Sequence, residues 1–225
     1  MRNIVFVCLF ILFPSFVFSQ HNTMVVPYEV VGGKMRVDVL INGVQKPFIF
    51  DTGGQTTISA ALQKELGVTA TDSLKITDVT TAVKYYPVTS IDNLTFAGNE
   101  LRLRGFRALL LEQDNAIFEC FGAEGIIGND VIRNFVLEID SRAKQITLHP
   151  KETVVKANLR GMIKLNQHSG KMPVLTIGLA GGETLQVLFD TGSGAMIDLK
   201  TEDYNRLISS DALSLIAEGK GGNSM

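Results

Sequence analysis

The sequence predicts a mainly β protein with a few short helices, and three features of the chain indicate this class. From Val25 onward, apolar and polar residues alternate with a period of two along many segments, as they do in half-buried strands. The 21 glycines lie among Thr- and Val-rich runs, which is typical of frequent turns between short strands. An Asn-Gly pair at 42–43 ends one alternating run, and this pair is a strong signal for a β-hairpin.

Predicted strands occupy most of the chain between Met35 and Leu148. They are Met35–Ile41, Lys46–Phe50, Leu74–Val79, Val83–Ile91, Leu94–Phe96, Leu101–Leu103, Phe106–Leu111, Val136–Ile139 and Gln145–Leu148. Two helices interrupt them: Ala60–Leu66, closed by Gly67, and Asn129–Phe135, capped by Asn129. A third, packed helix is predicted beyond the strands, over Tyr204–Ala217. We therefore expect helices to be few and short.

Composition and charge exclude several classes of protein. The 225 residues are 45% hydrophobic and 20% charged, which is ordinary for a globular protein and argues against a disordered or collagen-like chain. The formal net charge is −2, and no basic block stands out, so we expect no nucleic-acid partner. His21, His149 and His168 lack the spacing of metal ligands, so no metal site is predicted.

Residues 1–19 have the pattern of a secretory signal peptide. Arg2 gives a positive start, an apolar run covers 4–18, and small or tolerated residues precede a cleavage point before Gln20. An N-terminal membrane anchor is the alternative, although the run is short for a span. We expect no membrane span after signal removal, and a protein that is secreted, periplasmic or in the cell envelope.

Cysteine usage excludes an internal disulfide in the mature chain. Cys8 lies in the predicted signal peptide, so Cys120 is the only remaining thiol. One thiol can neither form an internal disulfide nor build a zinc site. We expect Cys120 to be a small buried apolar residue.

The chain contains an internal repeat. Gly33-Lys34-Met35 recurs as Gly170-Lys171-Met172, and each copy precedes two apolar strands and an Asp-Thr-Gly motif. The two motifs begin at Asp51 and Asp190, and the boundary near Lys151–Asn158 divides a first domain, 20–150, from a second, 151–225. Only 35 residues follow Asp190, so we expect the second copy to be incomplete and the chain to be a fragment of a longer protein.

The repeated Asp-Thr-Gly motif carries a specific chemistry. A buried strand delivers each carboxylate to a tight turn, which the glycines at 53 and 192 permit. The hydroxyls of Thr52 and Thr191 can bond to backbone across the interface and lock the two turns together. Two carboxylates brought this close cannot both ionise, so Asp51 and Asp190 would share one proton.

These residues carry a resemblance to a known family. Phe50–Gly53 and Phe189–Gly192 resemble the active-site turns of pepsin-like and retropepsin-like aspartic peptidases, and Gly125–Asp130 resembles the second signature of that fold. The chain is most similar to bacterial secreted retropepsin-like proteins with two repeats. The resemblance implies an acid protease barrel, with one complete lobe and the first half of a second. It also implies that Ile126, Ile127 and Gly128 cross under the turn of their own lobe and support it.

The resemblance implies an aspartic endopeptidase that cleaves a peptide or protein substrate without a metal or cofactor. One of Asp51 and Asp190 would take a proton from a bound water. The other, protonated, would polarise the scissile carbonyl and later protonate the leaving amine. The hairpin around Asp78–Tyr86 is the candidate flap over the substrate, with Tyr85 and Tyr86 as candidate contacts.

The residues after the two motifs differ. Gly54 stands where the family usually has Ser or Ala, and Ser193 follows the second motif. Ser193 can donate a hydrogen bond that favours an ionised Asp190, whereas Gly54 has no side chain to do this for Asp51. We therefore expect Asp51 to hold the shared proton. The residues expected to support the two turns are Thr52, Gly53, Thr191, Gly192 and Ser193.

Two other functions and one assembly are compatible with the sequence. A non-catalytic peptide-binding module could keep the fold without hydrolysis. The stretch 190–194 also resembles the phosphate-binding turn of an actin-like sugar kinase, although export and the residues after Gly53 argue against it. Because half of the second lobe is absent, we expect this chain alone to be nearly inactive. A homodimer could pair two Asp51 turns, as single-lobe retroviral enzymes do.

Overall fold

A computed structural model describes residues 23–77, 83–99, 102–111, 116–153, 165–167, 172–179, 182–194, 197–211 and 213. The predicted signal peptide and the tip of the predicted flap, at residues 78–82, lie outside these ranges.

The described residues form a mainly β structure with four short helices. The strands are β1 (Met24–Pro27), β2 (Glu29–Val31), β3 (Lys34–Ile41), β4 (Val44–Phe50), β5 (Thr57–Ile58), β6 (Asp72–Thr77), β7 (Val83–Ile91), β8 (Leu94–Phe96), β9 (Phe106–Leu110), β10 (Gly125–Ile127), β11 (Phe135–Asp140), β12 (Gln145–Pro150), β13 (Leu165–Gln167), β14 (Pro173–Gly178) and β15 (Thr184–Leu188). The helices are α1 (Ala60–Leu66), α2 (Ala116–Phe121), α3 (Asn129–Ile132) and α4 (Thr201–Ser209).

The largest described sheet contains the first Asp-Thr-Gly motif. Its strand order is β2-β3-β4-β10-β5-β9-β7-β6, with β8 paired to β3. The β3–β4 hairpin turns at Asn42 and Gly43, whose φ angles of 51° and 85° are both positive, as a type I′ turn requires. The Asn-Gly signal in the sequence therefore predicted this hairpin correctly.

Strand β10 passes between the two strands that flank the motif. It runs parallel to β4, with Ile127 opposite Phe50, and antiparallel to β5, with Gly125 opposite Ile58. The glycine at its start permits this close approach, because a Cβ at Gly125 would overlap the ring of Phe48. β10 therefore lies directly beside the strand that ends at Asp51.

Two smaller sheets complete the described strands. One has the order β1-β12-β11, and the other the order β13-β14-β15. The β14–β15 hairpin, with Val174 opposite Leu188, precedes Asp190 just as the β3–β4 hairpin precedes Asp51. The repeat seen in the sequence thus corresponds to a repeated hairpin.

The main hydrophobic core lies in the first repeat. Phe48, Phe50 and Phe96 are completely inaccessible to solvent, and Ile58 and Ile127 join them. Fully burying one such side chain contributes about 1.5 to 3 kcal/mol. The second copy is less covered, because Phe189, the counterpart of Phe50, keeps 38% of its surface exposed. The first motif therefore rests on the better-packed sheet.

Helix α1 begins and ends where the sequence predicts. The hydroxyl of Ser59 accepts a hydrogen bond from the N–H of Leu62, which caps the first turn. Gly67 ends the helix with a φ of 64°, the left-handed conformation that favours glycine.

Other predicted helices differ from the structure. Helix α3 ends at Ile132, and Phe135 belongs to strand β11, because pairing with β12 competes with helix extension. Its N-cap is Gly128 in extended conformation, so the predicted capping by Asn129 is wrong. The last helix is Thr201–Ser209 rather than Tyr204–Ala217; residues 212 and 214–217 lie outside the described part of the chain.

Three further details correct the sequence predictions. Leu103 forms an isolated bridge with Leu94 instead of belonging to a strand at 101–103, and Leu101 itself is not described. Helix α2 is absent from the sequence predictions, because it is a short helix whose burial comes from Phe118 packing near Ile49. Cys120 is exposed, not buried, since α2 directs Phe118 rather than Cys120 inward.

None of the helices in the described ranges has the length and apolar character needed to cross a lipid bilayer.

Candidate functional site

The two Asp-Thr-Gly turns meet through their threonines. The N–H of Thr52 donates to Oγ1 of Thr191 at 3.1 Å, and the N–H of Thr191 donates to Oγ1 of Thr52 at the same distance. Each hydroxyl in turn donates to a carbonyl of the other turn, Thr52 to Phe189 at 2.6 Å and Thr191 to Phe50 at 3.0 Å. Four reciprocal hydrogen bonds therefore hold the turns together, as expected from the sequence.

The glycines of the turns let the two carboxyl groups approach each other. A Cβ at Gly53 would overlap the carboxyl of Asp190, and a Cβ at Gly192 would overlap the carboxyl of Asp51. Each carboxyl thus packs against the glycine of the opposite turn. Any larger residue at either position would push the two turns apart.

Asp51 and Asp190 form a hydrogen-bonded carboxyl pair. Burial, the charge of Asp190 and the hydrogen bond between the two side chains together raise the pKa of Asp51 from 3.8 to about 6, and burial contributes most. Backbone N–H groups of Gly53 and Gly54 partly oppose this shift. Burial and the neighbouring carboxyl therefore favour the protonated form of Asp51.

The second carboxyl accepts hydrogen bonds from its own turn. Oδ1 of Asp190 accepts from the N–H of Gly192 at 2.7 Å and from the N–H of Ser193 at 3.0 Å. Hydrogen bonds of this kind favour an ionised carboxylate. The hydroxyl of Ser193, a predicted donor to Asp190, donates to Asp198 at 3.2 Å.

The segment after β10 supports the first turn. The N–H of Asp51 donates to the carbonyl of Ile127 at 3.0 Å, and the N–H of Asn129 donates to the carbonyl of Gly54 at 2.9 Å. Gly128 packs so closely on the 55–56 peptide that a Cβ there would overlap it. Ile127 and Gly128 therefore lie where the resemblance implied, and Ile126 pairs with Ile49 in the same strand.

Sequence reasoning missed a polar network beside this support. The side chain of Asp130 accepts from both the N–H and the hydroxyl of Thr56, at 2.8 and 2.9 Å. The hydroxyl of Thr56 also accepts from the N–H of Gly128 at 3.0 Å. Both residues lie in motifs visible in the sequence, because Asp130 ends the Gly-Asn-Asp segment and Thr56 follows the first Asp-Thr-Gly motif. Their contact was not predictable, since the two residues are 74 positions apart.

A second missed residue is Lys34. Its ammonium group donates a hydrogen bond to the carbonyl of Gly192 in the second turn. The only signal in the sequence was its place in the repeated Gly-Lys-Met motif.

The predicted flap is a hairpin of β6 and β7. Leu74 lies opposite Tyr86, and Lys75 lies opposite Tyr85. The two strands are therefore paired up to the undescribed tip at residues 78–82. Tyr85 is 68% exposed. Both tyrosines line a cavity of about 380 Å³ together with Leu110 and Leu111.

A larger cavity of about 600 Å³ also borders Leu110 and Leu111, and it extends to the end of α1 at Lys64 and Gly67. The described residues that line these two cavities include neither Asp51 nor Asp190. In the described ranges, no three His, Cys, Asp or Glu side chains are grouped closely enough to hold a metal ion.

Comparison with known proteins identifies the first repeat. Residues 37–131 match the family model described as aspartyl protease. The structure is similar to that of a retropepsin-like aspartic protease from Rickettsia conorii, with 12% sequence identity, a TM-score of 0.41, and coverage of 56% of this chain and 90% of that one. A search of curated proteins finds no match. The family match spans the first Asp-Thr-Gly turn and the strand that supports it, so residues 37–131 are similar to the aspartyl protease family.

Proposed function

We propose that the protein is an aspartic endopeptidase that hydrolyses peptide bonds with a water activated between Asp51 and Asp190. The observation that carries this proposal is the hydrogen-bonded carboxyl pair, held by two turns that are locked through Thr52 and Thr191. A pair of carboxyls with one shared proton supplies both the base and the acid that hydrolysis needs, and aspartic proteases in general work with such a pair. The match of residues 37–131 to the aspartyl protease family model supports the same assignment.

Both carboxyls accept backbone hydrogen bonds from their own turns, so the raised pKa of Asp51 is what supports different roles. With Asp51 protonated, Asp190 would take a proton from the water. The water oxygen then attacks the carbonyl carbon of the substrate, while protonated Asp51 donates to the carbonyl oxygen. When the C–N bond breaks, the pair returns a proton to the leaving nitrogen, and a carboxylic acid and an amine are released.

The β6–β7 hairpin would close over the substrate. Tyr85 and Tyr86, with Leu110 and Leu111, line the cavity of about 380 Å³, which is large enough for an apolar substrate side chain. Closure of a hairpin of this kind excludes water other than the attacking one. We propose these tyrosines as substrate contacts.

The finer architecture belongs to the same proposal. We assign residues 20–150 to one complete lobe of an acid protease barrel and 151–225 to the beginning of a second. The repeated hairpins before Asp51 and Asp190 support this division. The N-terminal pattern at 1–19 supports export to the cell envelope, the periplasm or the medium.

The proposal is tested with a peptide library, incubated with the wild-type protein at several acidic pH values in the presence and absence of pepstatin. We expect inhibitor-sensitive cleavage that falls by about a thousandfold or more in Asp51→Asn and in Asp190→Asn. Asp92→Asn, at an exposed position outside the site, is the matched control and should keep wild-type activity.

Two outcomes would overturn the proposal. Cleavage that survives in both active-site variants would show a contaminating or different activity. Peptide binding without cleavage by the wild-type protein would instead identify a non-catalytic binding module. Sedimentation of the same samples shows whether activity belongs to a monomer or to a dimer.

A further inference from the structure

Lys34 reaches from the first repeat into the second Asp-Thr-Gly turn. It lies at the start of β3, is half-buried, and its ammonium donates to the carbonyl of Gly192. A Cβ at Gly194 would sit 3.7 Å from the same ammonium, so the cation lies along the backbone of this turn. The contact joins residues 158 positions apart in the chain.

The carbonyl that Lys34 contacts belongs to a peptide group that also touches the catalytic pair. The C=O of Gly192 and the N–H of Ser193 are the two ends of one peptide group. That N–H donates to Oδ1 of Asp190 at 3.0 Å. A cation at the oxygen end of a peptide polarises it and makes its N–H a stronger donor, because hydrogen bonds in series strengthen one another. Lys34 is therefore connected to Asp190 through a single peptide group.

Within the described part of the chain, three carboxyl groups lie at this turn. The titratable groups of the described residues around it are Asp51, at the end of β4, Asp190 itself, and Asp198, which accepts from the Ser193 hydroxyl at 3.2 Å. All three are acidic, and no carboxylate among the described residues forms an ion pair with Lys34. Lys34 thus brings a positive charge to a turn whose described carboxyl neighbours are all acidic.

The repeated motif that contains Lys34 makes cross-repeat contacts at both of its copies. In the second copy, Sδ of Met172 lies 3.4 Å from Nδ2 of Asn129, just after the strand that supports the first turn. Both copies therefore reach the opposite repeat next to a catalytic turn.

We propose that Lys34 is a positioning residue that favours the ionised form of Asp190, through the peptide between Gly192 and Ser193, and so leaves the shared proton on Asp51. This inference rests on the proposed aspartic protease function, because only in that reaction does the position of the proton decide which carboxyl is the base and which the acid. It concerns a residue that does not touch the substrate, and its effect is electrostatic as well as structural.

The test compares the pH dependence of kcat/KM for wild type, Lys34→Met, Lys34→Gln and Lys34→Arg. We expect both neutral variants to move the acidic limb of the profile to higher pH by about 0.5 to 1 unit. The effect is below the roughly 1 to 3 units of a directly contacting charge, since Lys34 acts one peptide away. At a pH within the acidic limb, a shift of one pH unit lowers kcat/KM about tenfold. We expect this loss in kcat rather than in KM. Lys34→Arg keeps the charge and should keep the wild-type limb.

Lys46→Met is the matched control, because it removes a lysine from the neighbouring strand β4 that pairs with Glu65 instead of an Asp-Thr-Gly turn. We expect its profile to match the wild type. Unchanged limbs in both neutral Lys34 variants, or equal shifts in Lys34→Met and Lys46→Met, would overturn the proposal. A loss of thermal stability without a pH shift would reduce Lys34 to a structural clamp and would also refute it.

A second measurement separates this inference from the proposed function. Carbon-13 labelling of aspartate carboxyls allows the Asp51–Asp190 pair to be titrated without substrate, with assignments from the two Asp→Asn variants. We expect the first titration step of the pair to move to higher pH in Lys34→Met and Lys34→Gln. If the wild-type protein cleaves no peptide, the proposed function is wrong. The role of Lys34 is refuted separately, by a first titration step of the pair that is the same in the Lys34 variants as in the wild type.

Discussion

Replacing Asp51 with Asn should stabilise the folded protein above about pH 6, and the proposed function requires that the same change abolish hydrolysis. Burial and the neighbouring carboxyl of Asp190 raise the pKa of Asp51 from 3.8 to about 6, so the folded state resists ionisation of this group. The amide of Asn keeps the shape and the hydrogen-bonding atoms but never ionises. The variant therefore removes an energetic cost that the wild type carries at neutral pH.

The sign and size follow from proton linkage. A raised pKa in the folded state means that this group stabilises folding fully below the unfolded value of 3.8 and loses that contribution as pH rises through about 6. At about 1.36 kcal/mol per pKa unit, the difference between the two values amounts to about 3 kcal/mol. Solvent access and relaxation of the pair reduce this figure, so we expect the Asn variant to be about 1 to 3 kcal/mol more stable than wild type near neutral pH.

The assay is urea unfolding at several pH values between about 4 and 7.5. Circular dichroism is the suitable probe, because the chain has no tryptophan. We expect the two proteins to have the same free energy of unfolding near pH 4 and to diverge as pH rises. Titrating groups outside the Asp51–Asp190 pair cancel in the difference between the variants. The exposed Asp92→Asn serves as control and should follow the wild type.

Parallel stability curves for wild type and Asp51→Asn across this range would refute the reasoning. They would mean that the folded state does not oppose ionisation of Asp51. A variant that is less stable than wild type at neutral pH would refute it as well, because the amide would then fail to replace the protonated carboxyl.

Two further predictions concern the support and the locking of the turns. Gly128→Ala should lower the free energy of unfolding by about 2 kcal/mol or more, because the added Cβ overlaps the 55–56 peptide. Gly178→Ala, with open space around the new Cβ, should change stability little. Equal urea midpoints for the two variants would contradict this. Thr191→Val should cost about 1 to 3 kcal/mol and reduce cleavage, because it leaves the carbonyl of Phe50 without its donor, while Thr191→Ser should keep most of both. A Val variant with wild-type melting temperature and kcat would contradict that reading.

Local sequence signals predicted much of the fold. Strands β7 and β8 and helix α1 have the predicted bounds, and the Asn-Gly turn at 42–43 forms as expected. These features depend on alternation, capping and backbone conformations that neighbouring residues decide. Local sequence patterns gave wrong predictions where long-range packing competes with local conformational preference. Phe135 leaves the predicted helix to pair in β11, and Cys120 points to solvent because Phe118 occupies the inward face of α2.

For the site, the sequence by itself determined the chemistry: two carboxylates, each at the end of an apolar strand, each with a Thr and a Gly to make a tight turn. Repetition of the motif was enough to predict that the turns meet, because the same local structure forms twice. The sequence also predicted that the two carboxyls differ, from the residues that follow each motif, but only the tertiary structure decided which distant groups surround them. The contact of Lys34 with Gly192 joins residues 158 positions apart, and no local pattern encodes a contact over that separation.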